Sequence, residues 1–278
     1  MKKIIIFLIF VIFYNCDTPK NKLTGLDTQF LCYSLGICNP NRGVKFGILG
    51  DSWTDLLFGT SVIEDLRFQL EKRHGYSLVG STLGGQTLQG VFQLGSHYRV
   101  IDQAGPTIKY MLISLGGNDL QFKPEEYLVN FTQTKQNRFE LVKNNLLSMI
   151  HTGNAYKVQK WGGANLTWII HGYDYTNPEK YTYENATSCR ITLKKLGFND
   201  EQIDTFSTSL LDEYNEFLKS LTFEEFYLKY IDLRGTLRKD KFANPDLMFD
   251  CIHPNSLGFQ VLAERYVKIL EGYTNNER

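Results

Sequence analysis

Ile108-Lys109-Tyr110-Met111-Leu112-Ile113-Ser114-Leu115 is the strongest strand signal in the chain, and it runs directly into Gly116-Gly117-Asn118-Asp119. A short apolar run that stops at glycine suits a strand buried on both faces of a sheet. Moving outward, the same signal recurs. Val44-Lys45-Phe46-Gly47-Ile48-Leu49 reads as a strand ending at Gly50, and Tyr76-Ser77-Leu78-Val79 as a short strand closed by Gly80. Leu166 to Ile170 and Phe226 to Ile231 read as two more. Between them lie helical patterns at Asp55 to Arg73, Phe139 to His151, Asp200 to Leu221 (with Asp200 as its cap) and Asn255 to Leu270. Residues 173 to 199 read as long and irregular, rich in Tyr, Asn and Thr. This alternation predicts an α/β fold, a parallel sheet with helices on both faces. In such sheets reactive groups collect beyond the C-terminal ends of the strands.

Four segments with chemical potential fall at such places. Gly50-Asp51-Ser52-Trp53 follows the first strand, where a serine hydroxyl and a backbone N–H meet the sheet edge; as a bare tripeptide it is equally a turn or cap. Leu83-Gly84-Gly85-Gln86-Thr87 follows the second, where glycine lets a backbone N–H turn toward a reacting oxygen. This loop has neither the Lys-Ser/Thr of a phosphate-binding loop nor the GxGxxG spacing. Asn118 follows the third strand and offers a neutral N–H donor, although Asn-Asp also suits a helix cap. Asp250-Cys251-Ile252-His253-Pro254 precedes the last helix, and an Asp three residues before a His can bind its Nδ1–H and leave Nε2 to take a proton. Of the other histidines, His74, His97 and His151 read as surface or packing residues, and His171 as the one able to approach the site.

Together these segments supply a nucleophile, oxyanion donors, a base and its orienter, and here the sequence resembles the SGNH/GDSL hydrolase (esterase/lipase) family over about residues 44 to 270. The resemblance implies a three-layer α/β/α sandwich, flavodoxin-like, on a parallel sheet of about five strands. It implies Ser52 as nucleophile, His253 as base and Asp250 as the residue orienting it. The oxyanion hole it implies is formed by the Ser52 N–H, the Gly85 N–H and the Asn118 side chain, with Gly84 an alternative to Gly85. Cys251 departs from the pattern, which often has a small residue at that place. The reaction implied is hydrolysis of a carboxylic ester of a lipid or carbohydrate, of short acyl or O-acetyl type, through an acyl-serine and without a cofactor. An O-acyltransferase, or a binding lipoprotein that keeps the fold without the chemistry, are the alternatives.

Composition narrows the setting. Of 278 residues, 42% are hydrophobic and 22% charged, which fits a globular domain. Lys+Arg and Asp+Glu are both 30, so no global field favours nucleic acid. Lys2 and Lys3 precede an apolar run from Ile4 to Tyr14 and then Cys16, the layout of a signal peptide over residues 1–16. The layout resembles a bacterial lipoprotein signal, which implies Cys16 as the lipidated residue, an N-terminal membrane anchor and a place in the cell envelope, periplasmic or surface; plain secretion is the alternative. Residues 17–43 then form a tether and entry segment, and 44–278 the hydrolase domain. Cys32, Cys38, Cys189 and Cys251 allow three connectivities. Cys32–Cys38 is the natural first bridge and Cys189–Cys251 the second, with free buried thiols as the alternative. No Cys/His cluster has metal-ligand spacing, so no metal is expected.

Overall fold

The computed structural model describes residues 45–56, 63–182 and 185–274. The expectations for Cys16, Cys32 and Cys38, for the signal segment and for the tether concern residues outside that set. Five parallel strands form one sheet: β1 (Phe46–Gly50), β2 (Leu78–Thr82), β3 (Tyr110–Ser114), β4 (Thr167–His171) and, at one edge, a strand at Leu228–Ile231 called β7 below. Their order is β2-β1-β3-β4-β7, so the chain leaves β1 toward one side for β2 and returns to the other for β3. The crevice between the ends of β1 and β3 is the switch point where such sheets place their ligands.

The strands are apolar throughout because both faces are covered. Leu49, Ile113, Ile169 and Ile170 are fully buried. Each contributes about 1.5–3 kcal/mol of apolar burial. Alternation along β4 separates the layers. Trp168 packs on Gly153 of the long helix α6 (Phe131–Trp161), where a Cβ would sit 2.5 Å from the indole. Three residues on, His171 faces Tyr266 of the last helix, α10 (Ser256–Thr274). Helices α3 (Ser96–Ala104), α6 and α9 (Ser209–Glu224) lie on the first face, and α1 (Leu66–Phe68) with α10 on the second. The remaining helices are short: α2 (Leu88–Gln93), α4 (Gly117–Gln121), α5 (Glu126–Val129), α7 (Cys189–Leu196) and α8 (Asp200–Ser207). Two small antiparallel hairpins, β5 (Tyr181–Thr182) with β6 (Asn185–Ser188) and β8 (Arg238–Lys239) with β9 (Phe242–Ala243), stand outside the sheet.

Several boundaries differ from the sequence reading. Asp55 and Leu56, where a helix is expected to begin, are not helical, and the helix at Leu66 is capped by Asp65, whose carboxylate accepts from the Phe68 N–H. A π-helical turn (Gln69–Arg73) continues it. Strand β2 runs through Gly80 rather than stopping at it; a Cβ there would lie 1.9 Å from the Ile48 carbonyl oxygen, so glycine allows close approach of two backbones. The helix expected over Asp200 to Leu221 is two helices broken at Thr208, since the Ser207 carbonyl accepts from the Thr176 N–H. Its cap is Asn199, not Asp200, in a reciprocal box with Gln202. The segment 173–199 is not wholly irregular: it holds the β5–β6 hairpin and α7.

Candidate active site

Just past β1 the backbone makes a single tight turn. The Asp51 N–H donates to the Ser114 carbonyl of β3, and the Thr54 and Asp55 N–H groups donate back to the Asp51 carbonyl. The Asp51 side chain accepts from the Trp53 N–H at 3.0 Å and closes the turn around Ser52. Trp53 is buried, edge-on to Tyr173 and stacked on His171. The serine is thereby held at the sheet edge while its neighbours are locked in the core.

The loop at 250–253 folds onto it from the other side. One Asp250 oxygen accepts from the backbone N–H groups of Ile252 and His253, at 2.9 and 2.7 Å. The other lies 2.8 Å from His253 Nδ1. A buried carboxylate can only accept here, so Nδ1 carries the proton and Nε2 is the bare nitrogen. That nitrogen lies 2.8 Å from Ser52 Oγ. Two residues 201 positions apart are thus joined in one line of hydrogen bonds, Asp250 to His253 to Ser52.

The loop is tied down beyond its own turn. The Cys251 N–H donates to the Tyr181 carbonyl, and the Cys251 carbonyl accepts from the Asn177 N–H. Cys189 and Cys251 form a disulfide that closes a 62-residue separation. By loop-closure entropy such a bridge is worth about 4 kcal/mol. Cys189→Ser is expected to lower unfolding stability by roughly that amount and to reduce turnover, because the loop carrying Asp250 and His253 loses its covalent anchor. Denaturant melts and ester kinetics on the variant measure both; unchanged values would show that the bridge holds nothing the packing does not.

Asn118 stands at the start of α4 and faces the cavity beside Ser52. One of its two N–H bonds is spent on the Gln86 carbonyl at 2.8 Å, which fixes the carboxamide and leaves the second available. Its neighbour Asp119 accepts from Leu88 and Gln89 N–H, at 2.7 and 3.2 Å. The Gly-rich loop after β2 is thus anchored to the turn after β3. Within it, Gly84 abuts the nucleophile: a Cβ there would lie 3.9 Å from Ser52 Cβ. Gly85 adopts φ +79°, a conformation natural to glycine, with open space where a side chain would stand.

The cavity is about 30 Å³. Besides Ser52, Trp53, Asn118 and His253 its wall includes Gln121, Tyr173, Thr176 and Leu211, which lie outside the four segments singled out in the sequence. Ile252, also in the wall, is an exposed apolar side chain. His171 comes near the site through Trp53 and Tyr173, whose rings it packs against. Its Nδ1 contacts the Gly172 carbonyl, and burial pushes its pKa down to about 4, so it is a neutral packing residue. His97 is buried and pushed down likewise, while His151 pairs at the surface with Glu225. Among the described residues no group of three His, Cys, Asp or Glu side chains is placed to hold a metal ion, and no helix is long and apolar enough to cross a membrane.

Comparison with known proteins gives the same picture from outside. The family model described as GDSL-like lipase/acylhydrolase matches residues 48–261. Among solved structures, a lipase from a goat rumen metagenome is similar at 16% identity and a TM-score of 0.53, covering 81% of this chain and 96% of its own. A catalytic mutant of an acetylxylan esterase from Geobacillus stearothermophilus is similar at 17% identity and a TM-score of 0.50, covering 81% and 93%. At such identities the likeness is one of fold. No curated protein matches the chain by sequence.

Proposed function

Because the chain belongs to the GDSL-like lipase/acylhydrolase family, we propose that it is a serine esterase acting on short acyl or O-acetyl esters. The observation that carries this reading is the hydrogen-bonded line from Asp250 through His253 to Ser52. His253 Nε2 takes the Ser52 proton as Oγ attacks the ester carbonyl. The tetrahedral oxyanion then accepts from the Ser52 N–H, the free Asn118 N–H and the N–H of Gly85 in the adjoining loop. Protonated His253 returns its proton to the leaving alcohol, the bond to the alcohol oxygen breaks, and an acyl-serine remains. Water, deprotonated by His253, repeats the attack and releases the acid. A protonated imidazole cannot accept the serine proton, so turnover falls on acidification.

The size of the cavity supports a small acyl group. About 30 Å³ leaves room for only about two or three water-sized groups. An acetyl methyl suits it and a long alkyl chain does not. The exposed apolar Ile252 in its wall supports an alcohol portion with an apolar face, such as a sugar ring, lying outside the cavity. The acetylxylan esterase among the structural neighbours accords with such a substrate. Release of nitrophenol from acetyl, butyryl and octanoyl esters tests the reading. The expected order is acetyl, then butyryl, then octanoyl. A preference for octanoyl would overturn the short-acyl part, and product appearing only with an added alcohol acceptor would make the protein an acyltransferase. We further propose an envelope lipoprotein, anchored through Cys16; incorporation of labelled palmitate, lost in Cys16→Ser, is its test.

A further inference from the structure

Tyr173 stands just beyond β4, where no motif drew attention to it, and it joins two parts of the site. The ring is buried, edge-on to Trp53 at 4.9 Å between centroids, and it lies flat against the backbone of Gly117: a Cβ at that glycine would be 2.8 Å from Cζ. The phenolic O–H donates to Asp51 Oδ2 at 2.5 Å. Asp51 Oδ1 meanwhile accepts from the Trp53 N–H and lies 3.5 Å from the Ser114 hydroxyl. Tyr173 therefore touches both turns: its ring packs on Gly117, next to Asn118, and its hydroxyl is bonded to Asp51, next to Ser52. Packing alone would be served by Phe. The buried hydroxyl has its acceptor and adds direction.

We propose that Tyr173 is a positioning residue: its ring, packed on Gly117, and its hydroxyl, donating to the Asp51 carboxylate, hold the oxyanion turn in register with the nucleophile turn. This rests on the esterase reading of Ser52. The arrangement requires Asp51 as an acceptor on both oxygens, so its protonation breaks the link. Burial pushes the Asp51 pKa up to about 6, against the Tyr173 and Trp53 hydrogen bonds and the nearby His253, which lower it; Asp119 adds to the rise. Tyr214, also buried, lies close enough for the Asp51 charge to oppose its ionisation. On acidification wild type therefore loses Asp51 as an acceptor. Removing the Tyr173 hydroxyl removes a bond that favours ionised Asp51, and its protonation moves to higher pH.

The test is kcat and KM against pH for acetyl ester hydrolysis by wild type, Tyr173→Phe, Asp51→Asn and the double variant, with thermal melts on each. Tyr173→Phe is expected to lower kcat by about tenfold with KM nearly unchanged, a misplacement effect. It should also shift the acid limb of kcat to higher pH, and the shift should vanish in the Asp51→Asn background. A uniform loss at every pH, or a shift of equal size in that background, would overturn the proposal. Should Tyr173→Phe not fold, Asp51→Asn alone decides: the part of the wild-type acid limb that Asp51 protonation causes should be missing in the variant, and superimposable profiles would overturn the proposal. Fluorophosphonate labelling of wild type separates the two layers. Labelling at Ser52 with no pH effect sinks only the role of Tyr173, whereas no labelling and no turnover sinks the esterase reading and this role with it.

Discussion

Ser52→Ala is expected to remove nearly all ester hydrolysis, a fall on the order of 10⁴-fold or more in kcat. The reason is that, among the described residues, no hydroxyl other than that of Ser52 is bonded to His253. The cavity that takes the reacting carbonyl is walled by Ser52, Trp53, Asn118, Tyr173 and His253, and Ser52 Oγ is the hydroxyl bonded to His253 Nε2. The hydroxyl of Thr54 donates to the Asp51 carbonyl, and that of Tyr173 to the Asp51 carboxylate. Whatever rate remains in the alanine variant reflects the oxyanion donors and binding acting on water as nucleophile. The fold should be unaffected, since Asp51 and Trp53 close the turn without using the serine side chain. Nitrophenyl acetate turnover with a parallel melt measures both. An alanine variant retaining a substantial share of wild-type activity would show that the nucleophile is another group.

Asp250→Asn is the second large expected effect, about 10⁴-fold in kcat by analogy with other triads. Asparagine fits the same space but presents both an N–H₂ and an oxygen. The carboxamide oxygen is claimed by the Ile252 and His253 N–H groups, which now meet one Asp250 oxygen. The N–H₂ then faces Nδ1, which must become the acceptor. The imidazole proton moves to Nε2, and the nitrogen facing Ser52 can no longer take a proton. The variant should fold, keep binding substrate and lose turnover, so that kcat falls with little change in KM. NMR of the imidazole nitrogens reports the tautomer directly. Normal turnover would mean that Asp250 merely shapes the loop through its backbone contacts.

The strand pattern, the α/β class and the catalytic candidates were legible in the chain because each depends on local chemistry. A parallel strand buried on both faces must be a short apolar run, as at Ile108 to Leu115, and its end must be marked by residues that turn. Asp250 and His253 are three residues apart, so their pairing is settled within one loop. Helix limits were less legible where a single capping side chain or a distant acceptor decided them. Asp65 caps α1 well inside the expected helix, and Thr176 claims the Ser207 carbonyl to break α8 from α9.

By itself, then, the sequence determined which segments would form the five strands of the sheet, and which residues at their ends had the chemistry of a nucleophile, donors and a base. Only the tertiary structure decided what stands around them. The 2.8 Å contact between Ser52 and His253 spans 201 residues, and the bond joining Cys189 to Cys251 spans 62. Tyr173, Trp53 and Leu211 reach the cavity because the sheet order sets β4 beside β3 and packs the helices against it. An isolated tyrosine or leucine carries no mark of the wall it will form; that property is made by the neighbours the fold gives it.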